Sequence, residues 1–106
     1  MTDPTSLFFE ALSNKSRFNI LKELKKGEKC AGDLQKKLNI EQTNLSHNLK
    51  CLLNCKFIEV KKIGRKRVYK MNPETEELVI EISKHIKKYE DYLKKCWVLK
   101  EEDGRI

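Results

Sequence analysis

The sequence predicts a mainly α-helical fold that carries one small β-hairpin. Two observations predict this fold class. Apolar residues recur at helical spacing along most of the chain, whereas residues 57–71 contain two short runs rich in β-branched and aromatic residues around a glycine. The length of 106 residues is enough for one domain and too short for two. We therefore expect one domain over residues 1–99, followed by a frayed tail over residues 100–106.

Helix-start signals and apolar stripes in the first half of the chain predict four helices. Asp3-Pro4 supplies an N-cap and a first-turn proline. A tight connection at residues 39–41 separates the third helix from the fourth. The first predicted helix begins near Asp3-Pro4, and the second begins near Ser13 or Asn14. The third covers about residues 31–38, and the fourth covers about residues 42–54.

The second half predicts a hairpin and one long helix. The strands are expected at residues 57–61 and 67–71, joined by a basic turn that contains Gly64. Asn72-Pro73 starts a helix that runs to about Trp97. An apolar stripe along this helix is long for so small a core, and we interpret it as the seam of a homodimer, although a helix lying back on its own domain fits the pattern as well. The stripe consists of Ile82, Ile86, Tyr89, Leu93 and Trp97.

Positive charge is concentrated in the middle third of the chain. Residues 41–71 carry a net charge of +6, out of +7 for the whole chain. A local basic face of this kind is typical of proteins that contact nucleic-acid phosphates. A solvated lysine-rich surface is the alternative.

A short helix, a tight turn, a second helix and a basic hairpin follow one another in the order of a winged helix-turn-helix. The fourth helix directs its leucines inward, so its other face is free to reach base edges and phosphates in a major groove. The hairpin tip is expected to contact the flanking backbone or minor groove. The predicted DNA-binding residues are Gln42, Thr43, Asn44, Ser46, His47 and Lys50 on the helix, and Lys62, Arg65, Lys66 and Arg67 at the tip.

Three segments carry a resemblance to a known family: LFFEALSNKSRFNIL, EKCAGDLQKKLNIEQTNLSHNLKCL and IGRKRVYKMNP. Together they resemble the ArsR/SmtB family of small winged-helix repressors over about residues 7–73. The resemblance implies a homodimer, joined through its first and last helices, that binds a near-palindromic double-stranded DNA operator. Glu41 departs from the family pattern, in which a serine usually caps the reading helix, and this puts one phosphate contact in doubt.

Sensing sites in this family lie on different helices, and the cysteines can be compared with each. Cys30 retains only half of a paired-thiol motif at the start of the third helix, because Gly32 replaces its partner. His85 and Cys96 supply only part of a set on the last helix. Cys51 and Cys55, followed 41 residues later by Cys96, are similar to the branch that senses cadmium and lead in mycobacteria.

Helical geometry supports a ligand role for the cysteine pair. Residues i and i+4 lie about 5–6 Å apart at Cβ, so two sulfurs can converge on one ion. Three thiolates from Cys51, Cys55 and Cys96 would favour a soft metal ion such as Cd²⁺, Pb²⁺ or As(III) as the effector, with no metal needed for folding. The alternatives are small apolar packing residues and a thiol-redox switch that releases DNA on oxidation.

The composition also limits the class of protein. The sequence has neither an apolar run near 18 residues nor a signal-peptide core, so we expect a cytoplasmic protein with no membrane partner. Two histidines, four cysteines and no glycine-rich phosphate loop supply no credible catalytic set, so we expect no enzymatic activity.

Overall fold

A computed structural model describes residues 3–102, which divide into two compact units with the boundary between Glu76 and Glu77. The first unit contains four helices, three strands and the first turn of the fifth helix. The second unit contains the rest of that helix and a short sixth helix. The elements are α1 (Pro4–Ser13), α2 (Lys15–Lys25), β1 (Lys29–Cys30), α3 (Ala31–Leu38), α4 (Gln42–Asn54), β2 (Ile58–Ile63), β3 (Lys66–Met71), α5 (Pro73–Lys94) and α6 (Trp97–Glu102).

Side-chain caps start the first two helices, as the sequence predicts. The Asp3 carboxylate accepts a hydrogen bond from the Ser6 backbone N–H at 3.3 Å. Asn14 caps α2, because its Oδ1 accepts from the Arg17 backbone N–H at 3.0 Å. The alternative cap, Ser13, is instead the last residue of α1.

The core of the first unit is formed by the inner faces of the helices and by the sheet. Leu34 on α3 is fully buried, which fixes the short helix against its neighbours. Burial of these side chains removes apolar surface from water and is the main term that stabilises the unit. The core residues of the first unit include Ile20, Leu21, Leu24, Leu34, Leu45, Leu49, Leu52, Phe57, Ile58, Tyr69 and Met71.

The predicted hairpin is present as β2 and β3, which pair antiparallel from Ile58↔Met71 to Ile63↔Lys66. The strands extend further toward the tip than the sequence predicts, so the turn shrinks to two residues, with Gly64 at a φ of +63°. β1 adds a third strand, paired with β3 at Lys29↔Tyr69. The sequence gives no signal for β1, because two residues are too few to show an alternating pattern.

The long C-terminal helix is shorter than predicted. α5 has non-helical backbone angles at Tyr89, ends at Lys94 and is followed by α6 from Trp97. Residues 85–97 contain neither glycine nor proline, so nothing in the sequence marks the break. Within this unit Ile86, Tyr89, Leu93 and Trp97 are all exposed. Residues 103–106 of the predicted tail lie outside the described residues.

None of the helices in the described part of the chain is long and apolar enough to cross a membrane.

Candidate nucleic-acid interface and thiol site

Helix α4 separates a buried apolar face from an exposed polar face. Leu45, Leu49 and Leu52 are buried in the core. All six side chains predicted on this helix for DNA contact are exposed. These residues, Gln42, Thr43, Asn44, Ser46, His47 and Lys50, therefore present amide, hydroxyl, imidazole and ammonium groups from one helix surface, which is the chemistry that reads base edges and phosphates.

The turn before α4 is tight because Asn39 adopts the left-handed conformation, with a φ of +50°. Asparagine tolerates this region better than most residues. Glu41 is the N-cap of α4, but its side chain makes no capping hydrogen bond. Its exposed carboxylate lies beside a polar cleft of about 280 Å³ between α2 and the turn. An uncapped, exposed carboxylate at this position repels a phosphate rather than binding it.

A partly buried hydrogen-bond network connects α1, α2 and α4. The Arg17 guanidinium donates from Nε to the Ala11 carbonyl at 2.7 Å and from Nη1 to Asn48 Oδ1 at 3.3 Å. It also donates from Nη2 to the Glu10 carbonyl at 3.4 Å. Asn48, which is only 3% exposed, in turn donates from Nδ2 to the backbone and side-chain oxygens of Asn44. Asn44 on the exposed face of α4 is thus oriented from inside the protein.

The hairpin carries basic side chains at its tip and ion pairs nearer its base. Lys61 pairs with Glu28 at 3.0 Å, and Lys70 pairs with Glu59 at 3.5 Å. The four predicted contact residues, Lys62, Arg65, Lys66 and Arg67, are exposed. In the described part of the chain these four form no ion pair, so their charges are available to phosphates.

The thiols of Cys51 and Cys55 are neighbours at the C-terminal end of α4. Cys55 is the C-cap, with backbone angles of −85° and 1°, and its N–H donates to the Cys51 carbonyl at 3.0 Å. Partial burial raises the pKa of the Cys55 thiol, and the adjacent Cys51 thiol raises it further, whereas the charge of Arg17 acts in the opposite direction. The structure therefore brings together the two sulfurs that the i, i+4 spacing predicts.

The remaining cysteines lie elsewhere in the chain. Cys96 belongs to the second unit, between α5 and α6, and is partly exposed. Cys30 precedes α3, and its thiol lies 3.2 Å from Asp33 Oδ2. Hydrogen bonding from Cys30 lowers the pKa of that carboxyl. Among residues 3–102 of a single chain, no three His, Cys, Asp or Glu side chains form a group that could hold a metal ion. The role of Cys96 as third ligand therefore stays a prediction.

The fold is that of a winged helix-turn-helix protein. Residues 14–60 match the family model described as bacterial regulatory protein, arsR family. The chain is 34% identical over 64 residues to the transcriptional repressor SdpR of Bacillus subtilis, covering 60% of this chain and 71% of that protein. The chain belongs to the arsR family.

The chain is similar to two further proteins, one in sequence and one in fold. The chain is 38% identical over 69 residues to an arsenical resistance operon repressor of Staphylococcus xylosus, covering 65% of this chain and 66% of that protein, which is just under two thirds of its length. The homodimeric winged helix-turn-helix DNA-binding domain Mb0332 of Mycobacterium bovis has the same fold, with a TM-score of 0.66 at 20% identity, covering 84% of this chain and 89% of that one.

Sequence reasoning did not identify Arg17 and Asn48 as part of the site. A signal for Asn48 was present, since it is a polar residue on the same helical face as Leu45, Leu49 and Leu52. A buried amide on an apolar face requires a partner. Nothing in the local sequence identified Arg17 as that partner, because the two residues are 31 positions apart.

Proposed function

We propose that this chain is a cytoplasmic homodimeric transcriptional repressor that binds a double-stranded DNA operator without effector and releases it when a soft ion binds. The observation that carries the DNA-binding part is the exposed polar face of α4 together with the unpaired basic tip of the hairpin. A helix in the major groove and a basic wing on the backbone form a common DNA-binding arrangement. The names of the staphylococcal and Bacillus relatives, both repressors, agree with it.

The proposed dimer places two reading helices on two half-sites of one operator. The exposed apolar side chains of the second unit, Ile86, Tyr89, Leu93 and Trp97, are suited to a seam between two copies. A helix-turn-helix dimer requires its reading helices about one helical turn of DNA apart. Small changes in the separation or tilt of α4 would therefore weaken operator binding.

The proposed effector site consists of Cys51, Cys55 and Cys96, with Cys96 from the same or the partner subunit. The pair at the end of α4 supports this assignment, because Cys51 and Cys55 are one helical turn apart and their thiols interact. Three thiolates suit Cd²⁺, Pb²⁺ or As(III), whereas Zn²⁺ favours four ligands. Binding would join the C-terminal end of α4 to the region around Cys96, and a coupling free energy of about 1–3 kcal/mol would weaken operator binding roughly 5- to 150-fold.

The test is an operator titration under reducing conditions, with and without each ion. Cys55→Ser should bind the operator like the parent protein and lose cadmium-induced release. Cys30→Ser is the matched control, because Cys30 is also a free, partly exposed thiol but lies away from the pair. If Cys55→Ser still responds to cadmium, the metal site lies elsewhere. If the parent protein responds to none of the ions, the protein is a DNA-binding regulator without a metal site.

A thiol-redox switch is the second candidate function. Cys51, Cys55 and Cys96 are all free and at least partly exposed, so each is open to oxidation. Operator release by peroxide in the absence of metal, reversed by a dithiol reductant, would favour this mechanism.

A further inference from the structure

The hydrogen bonds of Asn48 determine which end of its amide faces each neighbour. Its Oδ1 lies 3.3 Å from Arg17 Nη1, and its Nδ2 lies 3.0 Å from the Asn44 backbone carbonyl and also contacts Asn44 Oδ1. A guanidinium group only donates hydrogen bonds, so the atom of Asn48 that faces Arg17 must be the acceptor, Oδ1. The Nδ2 group, with its two hydrogens, therefore faces the two oxygens of Asn44.

The orientation of Asn48 in turn determines the orientation of the Asn44 side chain. Because Asn48 Nδ2 is a donor, Asn44 directs its own Oδ1 toward it, and its Nδ2 is the outer branch of the carboxamide. Asn44 is exposed on the face of α4 that is predicted to contact DNA. Within residues 3–102 this Nδ2 group donates to no protein acceptor. The side chain of Asn44 therefore offers DNA a donor and not an acceptor.

Arg17, Asn48 and Asn44 form a hydrogen-bond relay that starts from a fixed group. The guanidinium of Arg17 also donates to the Ala11 carbonyl at 2.7 Å and to the Glu10 carbonyl at 3.4 Å. Asn48 is 3% exposed, so water competes poorly for its amide. If the Asn44 carboxamide turned over, two NH₂ groups would face each other and a buried donor would lose an acceptor. This cost opposes the reversed orientation.

We propose that Asn44 selects guanine over adenine in the operator half-site, because the relay leaves only its NH₂ group free for a base. An asparagine that reads adenine uses both ends of its amide, since it accepts from N6 and donates to N7. That pairing needs the Oδ1 that Asn48 already occupies. Guanine offers two adjacent acceptors, O6 and N7, whereas thymine offers only O4 and cytosine offers a donor. The inference rests on the proposed function, because it names the base that the same helix recognises.

The first step of the test identifies the base pair that Asn44 contacts. The parent protein and Asn44→Ala each select duplexes from a random DNA library, and the base pair whose preference disappears in the variant is the contacted one. Duplexes that differ only at this pair are then compared by fluorescence anisotropy at one salt concentration, because affinity depends on salt. We expect the parent protein to bind the guanine duplex about fivefold more tightly than the adenine duplex, or more.

Asn48→Leu tests whether the relay sets this preference. Without the buried amide, the Asn44 carboxamide is free to turn over and to pair with adenine by both ends, so the guanine-to-adenine affinity ratio should fall to about twofold or less. Asn54→Leu is the matched control, because it makes the same substitution at an exposed position of α4 outside the relay, and it should keep the parent ratio. Each ratio is taken within one variant, so that a partial loss of folding cancels.

Asn44→Asp is a second variant, at an exposed position, and it decides the question if Asn48→Leu does not fold. The aspartate keeps one oxygen toward Asn48 Nδ2 and replaces the outer NH₂ group by an acceptor. We expect the preferred base to change from guanine to cytosine, whose N4 amino group donates.

Three results would each overturn the inference: an adenine preference of the parent protein at the contacted pair, a parent ratio that persists in Asn48→Leu, or a guanine preference that persists in Asn44→Asp. An unchanged selection by Asn44→Ala would also overturn it, because Asn44 would then read no base. In all these cases the parent protein still binds DNA, so the proposed function stands. Failure of the parent protein to bind any duplex would instead contradict the proposed function and this inference together.

Discussion

Replacement of Arg17 by alanine should show how strongly the hydrogen-bond network around this residue stabilises the first unit. The shortest bond, 2.7 Å from Nε to the Ala11 carbonyl, is charge-assisted and contributes about 1.5–3 kcal/mol. The bonds at 3.3 and 3.4 Å are longer than the usual N–H···O distance and contribute less.

The substitution also leaves Asn48 Oδ1 without its donor. Because Asn48 is 3% exposed, water replaces that donor poorly, and an unsatisfied buried acceptor costs about 1–3 kcal/mol. The long bond to Arg17 places this cost at the lower end of the range. Together the two effects predict a loss of about 3 kcal/mol in the free energy of unfolding.

Urea denaturation at a fixed protomer concentration measures this loss, because the stability of a dimer depends on concentration. Lys25→Ala is the control, since it also removes one positive charge from α2 but from an exposed position. The control should change the free energy of unfolding by less than about 0.5 kcal/mol. A loss below about 1 kcal/mol for Arg17→Ala, with an unchanged m-value, would refute the argument that the network is a major stabilising element.

Three further substitutions and one change of pH test other parts of the structure. Asn14→Ala removes the cap of α2 and should lower the free energy of unfolding by about 1 kcal/mol in the same urea assay; no loss would contradict the capping role. Arg65→Ala should weaken binding to specific and unrelated DNA alike. It should also reduce the slope of the logarithm of the DNA-binding constant against the logarithm of the salt concentration by about 0.9, measured by fluorescence anisotropy. An unchanged slope would mean that Arg65 contacts no phosphate. At Gly64 there is room for the methyl group of an alanine, but the alanine would have to adopt a φ of +63°. Gly64→Ala should therefore lower the stability measured by thermal unfolding by about 1 kcal/mol. An unchanged stability would show that the turn adapts. Because the pKa of the Cys55 thiol is raised, its proton is harder to displace, so the effector concentration for half-maximal operator release should increase as pH falls from 8 to 6.5; a pH-independent value would exclude thiolate ligation.

The elements that the sequence predicted well are those with a sustained hydrophobic period. α4 begins at Gln42 and ends at Asn54, as expected, because its leucines recur over three turns. The features that the sequence missed leave no trace in the hydrophobic pattern. β1 is two residues long, and the break at Tyr89 interrupts a segment whose apolar spacing continues unchanged.

The candidate site likewise contains features that the sequence predicted and a feature that it missed. The exposure of the polar residues on α4 and at the hairpin tip could be predicted. The apolar residues of these elements pack into the core, so the polar residues must face the solvent. The contact between Cys51 and Cys55 could also be predicted from helical geometry. The apolar recess lined by Pro4, Leu7, Phe8, Cys55 and Phe57 could not, because its walls come from α1 and from the loop between α4 and β2, and only tertiary packing brings these segments together.

In the proposed mechanism the same helix contacts the operator and binds the effector, so the signal has to travel only along α4. Asn44 and the thiol pair lie at opposite ends of α4, with Asn48 between them and bonded to Arg17. The charge of Arg17 also acts on the Cys55 thiol. Under the proposed mechanism, a change of charge at the sulfurs would be felt by the same guanidinium that donates to Asn48. A coupling free energy of about 1–3 kcal/mol is comparable to one hydrogen bond to a charged group. A rearrangement of this network is therefore of the right magnitude to account for the proposed release.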